Sequence, residues 1–125
     1  MAKQNIYVDG FVLVVPKKKM AAYRRMAAMG AKVWKKYGAL DYKECVIDDI
    51  KPKWVTLTFP KMAKAKPSET VVFSYVVYKS KSHRNQVNRQ VMKDAMMNDP
   101  QYKDKPMPFD MKRMAYAGFK TLVSI

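Results

Sequence analysis

The alternation of apolar and polar residues divides the first third of the chain into two strands and a helix. Residues 6–15 are mostly β-branched or aromatic and are followed by Pro16, which predicts a first strand. Apolar residues then recur every three or four positions through 17–37, which predicts an amphipathic helix that ends at Gly38. Residues 40–47 alternate again and predict a second strand. This part of the chain is therefore predicted to be β-α-β.

The remainder of the chain predicts a similar set of elements. Residues 54–59 are expected to form a short strand or an extended arm, and 60–69 a loop with room for one helical turn. The apolar run at 70–78 predicts a third strand, and the pattern over 81–97 predicts a second helix. Residues 109–125 predict a fourth strand.

The predicted order, β-α-β-β-α-β with an arm at 54–66, is typical of one fold. It matches the ferredoxin-like α+β pattern, in which two helices cover one face of a four-stranded antiparallel sheet. Because the sequence contains no repeat or linker that would divide it, we expect residues 1–125 to form a single domain.

The third predicted strand is apolar on both faces, with Val71 and Phe73 on one side and Val72 and Val76 on the other. A sheet with one face in water would alternate more cleanly. We therefore expect a homodimer in which two sheets face each other, that is, a dimeric α/β barrel. The alternative is a monomer in which the 54–66 arm covers the free face.

The composition of the chain limits the binding partners, the metal sites and the cellular location that we expect. The formal charge of +15 favours contact with polyanions, and no apolar run is long enough to span a membrane. Cys45 and His83 are the only residues of their kinds, which excludes an internal disulfide and a His/Cys zinc site within the chain. We expect a cytoplasmic protein without a bound metal or cofactor.

One face of the helix over 17–37 is apolar, and the opposite face carries seven cations. These are Lys17, Lys18, Arg24, Arg25, Lys32, Lys35 and Lys36. Because no acidic residue occurs between Asp9 and Asp41, weak RNA or DNA binding through this basic face is one candidate function. The alternative is an ordinary solvated face, since the aromatic side chains expected of a single-strand binder are not interleaved there.

The entrance to the second helix holds the single histidine. Ser80 is a suitable N-cap, so His83 falls in the first helical turn, where it can accept a hydrogen bond from the backbone of the cap. Helical spacing places Arg84 on the apolar face, where a half-buried guanidinium needs a carboxylate partner. Three strand carboxylates are candidates for it: Asp9, Glu44 and Asp110.

This entrance has two main interpretations. In the first, Arg84 and a carboxylate pin the helix to the sheet while His83 caps the helix. In the second, both residues form the polar end of a pocket between sheet and helices that binds a small anionic or aromatic ligand. The candidate residues of that pocket are Trp34, Glu44, His83, Arg84 and Asp110. Haem ligation by His83 is a lesser alternative.

The sequence leaves open whether the protein is an enzyme. Nucleophile-elbow, Walker and Rossmann patterns are all absent. A structural or interaction dimer without a ligand is therefore a further alternative to the pocket and to nucleic-acid binding.

Several longer segments resemble a known family. "GALDYKEC", "KSKSHRN" and "PFDMKRMAYAGF" are the most distinctive, and the likeness extends over nearly the whole chain. They are similar to the YbaA-like family of small bacterial proteins of unknown function. The resemblance implies a dimeric α/β barrel with ferredoxin-like subunits and implies no known reaction. The density of Met and Lys, including "KKK" at 17–19, departs from the family pattern.

Overall fold

The computed structural model describes residues 6–50, 53–103 and 105–125. The strands are β1 (Tyr7–Pro16), β2 (Asp41–Val46), β3 (Glu69–Tyr78) and β4 (Ala115–Lys120). The α-helices are α1 (Met20–Lys36), α2 (Phe59–Ala63), α3 (Lys81–Lys93) and α4 (Pro100–Lys103). Short 3-10 helices occupy Lys17–Lys19 and Met111–Arg113. Within the described ranges no helix is long and apolar enough to cross a membrane.

The four strands form one antiparallel sheet in the order β2-β3-β1-β4. Tyr7 of β1 lies opposite Tyr78 of β3 on one side and Lys120 of β4 on the other. On the far side of β3, Asp41 of β2 lies opposite Val77. This connectivity confirms the predicted ferredoxin-like α+β fold.

Two apolar clusters attach the long helices to the sheet. The first consists of Leu13, Val15, Tyr23, Ala27 and Val72. The second consists of Val33, Val76, Tyr78, Val87 and Val91. Because Val72 and Val76 lie on the same side of β3 and meet α1 and α3, both helices cover one face of the sheet.

The opposite face of the sheet, called the open face below, is apolar and largely uncovered. The register and the alternation of side chains assign to it Val8, Val12, Phe73, Tyr75, Val77, Ala117 and Phe119. The side chain of Phe119 is 55% exposed and lies across Gly10, where an added Cβ would be 3.0 Å from the ring. Among the described residues, α2 covers one end of this face, through an edge-to-face contact of Phe59 with Phe73 whose ring centres are 6.5 Å apart.

The second long helix is shorter than predicted, because α3 ends at Lys93 and not at 97. At Asp94 the backbone becomes extended, and the side chain accepts from the backbone N–H of Met96 at 2.8 Å. The other carboxylate oxygen accepts from the hydroxyl of Tyr37 at 2.7 Å. A local turn and a long-range contact therefore stop the helix where its apolar pattern continues.

Three other boundaries also differ from the predictions. The helix predicted over 17–37 begins with a 3-10 turn, and its α-helical part starts at Met20. No strand forms within 54–59; the helical turn expected in the following loop begins at Phe59. The last strand is confined to 115–120, because the side chain of Asp110 accepts from the backbone N–H of Lys112 and stabilises a turn before it.

Candidate functional site

A buried ion pair lies beneath the first turn of α3. Nη1 of Arg84 is 3.3 Å from Oδ1 of Asp9 and donates to the hydroxyl of Tyr116 at 2.6 Å. The same hydroxyl donates to Asp9 at 3.0 Å. The side chain of Asp9 is only 3% exposed and that of Arg84 15%. Of the three carboxylates predicted as possible partners of Arg84, the structure selects Asp9.

Tyr7 completes this group, and we call Tyr7, Asp9, Arg84 and Tyr116 the Arg84 cluster. The guanidinium carbon of Arg84 is 5.0 Å from the centre of the Tyr7 ring, which is a cation–π contact. Gly118 is required beside it, because an added Cβ would collide with the Tyr7 ring. Burial, and next the carboxylate of Asp9, raise the pKa of the Tyr116 hydroxyl, so this group is a hydrogen-bond donor and not a phenolate at neutral pH.

One edge of the Arg84 guanidinium has no acceptor. Its Nε is buried and makes no hydrogen bond within the described part of the chain. Its recorded hydrogen bonds, to Asp9 and Tyr116, both start from Nη1. The edge formed by Nε and Nη2 therefore carries donor capacity that the described residues do not use, and a buried donor without an acceptor is costly.

His83 caps the helix beside this cluster. Its backbone N–H donates to Oγ of Ser80 at 3.0 Å, which confirms Ser80 as the N-cap. Its Nδ1 accepts from the backbone N–H of Lys79 at 3.0 Å, one residue before the predicted donor. Nε2 points toward the turn after α1, 3.4 Å from the place of an added Cβ at Gly38. The structure therefore gives His83 the local role that the first interpretation assigned to it.

Glu44 lies in a separate group at the edge strand β2. Its two carboxylate oxygens accept from the hydroxyls of Tyr23 at 2.6 Å and of Tyr42 at 2.8 Å. Burial, together with the Glu44 charge, raises the pKa of both tyrosines well above the usual value. Gly30 lets β2 approach α1, because an added Cβ would be 3.0 Å from the Tyr42 hydroxyl.

Trp34 joins α1 to β3 and α3. Its indole N–H donates to the hydroxyl of Tyr78 at 3.0 Å and to Oδ1 of Asn88 at 3.3 Å. The Tyr78 hydroxyl donates to the same Asn88 oxygen at 3.2 Å. These bonds satisfy the polar atoms of two large aromatic side chains inside the core.

Asp110 lies before β4, next to a different arginine. Oδ2 of Asp110 accepts from Nε of Arg113 at 2.6 Å, and both carboxylate oxygens of Glu69 accept from the same guanidinium, at 2.8 and 2.7 Å. Arg113 also donates to the backbone carbonyl of Lys64 at 2.8 Å. The guanidinium holds the pKa of Glu69 at about 2 and lowers that of Asp110.

The structure thus distributes the five predicted pocket residues over several groups. His83 and Arg84 are adjacent, whereas Trp34, Glu44 and Asp110 each bond to other partners. Sequence reasoning named Asp9 only as one of three candidates and did not connect Tyr116 with it. A usable signal existed, because Asp9 is an acid in an apolar strand and lies on the same side of it as the buried helix-facing residues Leu13 and Val15.

The basic face of α1 and the preceding turn is solvent-exposed. All seven predicted cations are exposed: Lys17, Lys18, Arg24, Arg25, Lys32, Lys35 and Lys36. Lys36 also pairs with Asp94 at 2.9 Å. The hydroxyl of Tyr37, and next Lys36, lower the pKa of that carboxylate to about 2.

Two surface cavities lie apart from the Arg84 cluster. A cavity of about 470 Å³ lies on the outer side of α3 and is lined by Asn85, Asn88, Arg89, Met92 and Lys93. A second, of about 280 Å³, lies on the open face between α2 and β2 and is lined by Cys45, Val46, Ile47, Asp49, Phe59, Val71 and Phe73. Among the described residues, no three His, Cys, Asp or Glu side chains are grouped as metal ligands.

Two solved structures share the fold at low sequence identity. One, a dimeric ferredoxin-like protein from an uncultured marine organism, has a TM-score of 0.56 and 11% identity, over 96% of this chain and 99% of its own. The other, named "Putative antibiotic biosynthesis monooxygenase" from Nitrosomonas europaea, has a TM-score of 0.52 and 12% identity, over 98% of this chain and 95% of its own. At these identities the likeness shows the fold alone.

Similarity at the level of sequence is much higher to a bacterial protein. "Uncharacterized protein YbaA" of Escherichia coli strain K12 is 44% identical over 119 residues, which cover 94% of this chain and 97% of that protein. The protein of the same name from Shigella flexneri has the same identity and coverage. The family described as "Protein of unknown function (DUF1428)" matches residues 6–111. The resemblance to YbaA-like proteins is confirmed, and the chain belongs to the DUF1428 family of proteins of unknown function.

Proposed function

We propose that this protein is a homodimer that binds a small ligand with a carboxylate group at the Arg84 cluster. The observation that carries the proposal is the edge of Arg84 formed by Nε and Nη2, for which the described residues supply no acceptor. A carboxylate is the natural partner of that edge, because its two oxygens match two parallel N–H donors.

The other residues of the cluster suit this role. Asp9 and the Tyr116 hydroxyl both engage Nη1, so they orient the guanidinium from the side opposite the free edge. The Tyr7 ring makes a cation–π contact with the guanidinium and has no polar atom recorded as an acceptor for Nε. A ligand carboxylate would thus approach from the side away from Asp9, where repulsion between the two negative charges is smallest.

Self-association is supported by the open face. Contiguous exposed apolar surface of this kind usually marks an interaction site. A second copy offers an identical surface, so a two-fold axis would bury both faces together. One of the two structural neighbours is described as dimeric, which agrees with this arrangement.

The ligand proposal is tested by titrating the purified protein with acetate, succinate, benzoate and inorganic phosphate. Binding is measured by calorimetry at a temperature at which every variant is folded. It is also measured as the shift in the thermal unfolding midpoint. Ligand at about 100 times its Kd should stabilise the wild type by about 2.7 kcal/mol. Arg84→Lys keeps the positive charge but cannot form a bidentate hydrogen bond, so its affinity for the carboxylate ligand should fall at least about tenfold. Tyr116→Phe, which keeps the guanidinium, should bind more weakly than wild type but better than Arg84→Lys.

Native mass spectrometry of protein taken directly from its host supplies the second test. The wild type should have the mass of two chains plus a bound acidic small molecule. The Arg84→Lys variant should have the mass of two chains without that molecule. A dimer that carries nothing, in a protein that no carboxylate stabilises, would leave the structural dimer as the better interpretation.

Nucleic-acid binding is a second candidate, supported by the exposure of all seven cations of the basic face. Binding of this kind depends steeply on salt, because each neutralised phosphate releases counterions. Fluorescence anisotropy with single-stranded RNA should then give an affinity that falls as salt rises, and Arg24→Glu with Arg25→Glu should remove it. Absence of binding near physiological ionic strength would exclude this function.

A further inference from the structure

The segment between β2 and β3 exposes its largest apolar side chains. In this segment, the arm at 54–66, Trp54 is 86% exposed and Leu57 63%. Phe59 and Met62 are also exposed. Isolated apolar side chains on a surface are ordinary, but four within ten positions form a patch that needs a partner.

The apolar surface of the arm continues into the open face. Phe59 of the arm contacts Phe73 of the open face at 6.5 Å, and together they line the cavity of about 280 Å³. At the bottom of that cavity Val71 is 2% exposed. Any partner that covers the open face at Phe73 therefore also meets the arm.

We infer that the arm belongs to the interface with a second copy of this chain and that Trp54 is its anchor residue. This inference rests on the dimer proposed above. Tryptophan is enriched among the few residues that dominate interface energetics, and such residues lie where the partner excludes water. A two-fold axis would use the arm twice, once from each copy, which doubles the contribution of a single side chain.

The charges of the open face favour a second copy despite the net charge of +15. At the β2 edge of this face, the charged residues are Asp41 and Lys43, which pair with each other at 2.6 Å. These two charges offset each other at the edge, and the arm adds the exposed lysines Lys61, Lys64 and Lys66. The seven cations of the basic face, in contrast, project from the other side of the sheet. Two copies can approach face to face without bringing these like charges together.

The chain contains two tryptophans, Trp34 and Trp54, so a Trp34→Phe variant reports on Trp54 alone. Its emission maximum and its quenching by neutral acrylamide are measured along a dilution series whose dimer fraction is known from sedimentation. We expect the emission to move to shorter wavelength and the quenching constant to fall several-fold as the dimer forms. The Trp54→Phe variant, which reports on Trp34, should change little over the same series.

A second measurement is the dimer dissociation constant of full-length variants. Trp54→Ala should raise it about 900-fold, because the two-fold dimer loses two anchor residues worth about 2 kcal/mol each. Met92→Ala removes an exposed apolar side chain from the outer side of α3 and should leave it unchanged. A dimer in which Trp54 remains as accessible as in the monomer would overturn the inference and leave the dimer intact. A chain that stays monomeric at every concentration would overturn both.

Discussion

Removal of Arg84 should destabilise the fold through the carboxylate that it leaves behind. In an Arg84→Met variant the methionine fills much of the same space, but Asp9 keeps only the Tyr116 hydroxyl among its recorded donors. Because the Asp9 side chain is 3% exposed, water cannot replace the guanidinium. The cost is therefore that of a buried charge without its partner, and loss of side-chain packing adds little to it.

The magnitude follows from that burial. Breaking a buried ion pair from one side costs about 3–5 kcal/mol. A domain of this length has a total stability of about 6–19 kcal/mol, so the variant loses a large part of it. At the sensitivity of a domain of this size, a loss of about 4 kcal/mol lowers the thermal midpoint by about 15 °C.

Urea unfolding followed by circular dichroism measures this loss in a double-mutant cycle with Asp9→Asn. The double variant Arg84→Met with Asp9→Asn removes both charges and should be more stable than Arg84→Met alone. Arg89→Met, an exposed arginine on the same helix, is the matched control and should change stability by less than about 0.5 kcal/mol. Equal urea midpoints for Arg84→Met and Arg89→Met would refute the argument from burial.

Three further perturbations test other parts of the structure. The pKa values of Asp94 and Glu69 are lowered to about 2, so their contribution to stability is complete above their ordinary pKa values and is lost as pH falls through about 2. The urea midpoint should therefore drop less between about pH 5 and about pH 2 in an Asp94→Asn, Glu69→Gln variant than in wild type. Gly118→Ala places a methyl group against the Tyr7 ring and should lower the free energy of unfolding by about 1–3 kcal/mol in wild type, but by less when it is added to a Tyr7→Ala variant. Arg113→Lys loses the two-pronged contact with Glu69, and trypsin should then cut the loop between α2 and β3 faster than in wild type.

Local patterns were sufficient to predict the order of elements and the inner face of α1. The buried residues of that helix, Tyr23, Ala27, Gly30 and Val33, follow the predicted spacing of three and four. The apolar character of β3 on both faces likewise follows from its sequence alone. These features are predictable because they depend on residues close together in the chain.

Boundaries set by distant contacts were not predictable in this way. The pattern of α3 runs past Lys93, but the helix stops because Asp94 binds Tyr37 of another element. Contacts between distant parts of the chain also decide which residues form the Arg84 cluster. Helical spacing showed that Arg84 needs a carboxylate, whereas only the strand register decides that this carboxylate is Asp9 and that Tyr116 joins it. Register between strands that are about a hundred residues apart is not encoded in any short segment.

The position of β4 at the edge of the sheet has a consequence for how firmly the Arg84 cluster is held together. All six residues of β4 are exposed, and the strand pairs only with β1. Elements with few buried contacts open first in native-state hydrogen exchange. Since Tyr116 is carried by β4, each opening withdraws one of the two groups that hold Nη1 of Arg84. For the ligand proposed above, a change that slows amide exchange in this strand should therefore also slow release from the cluster.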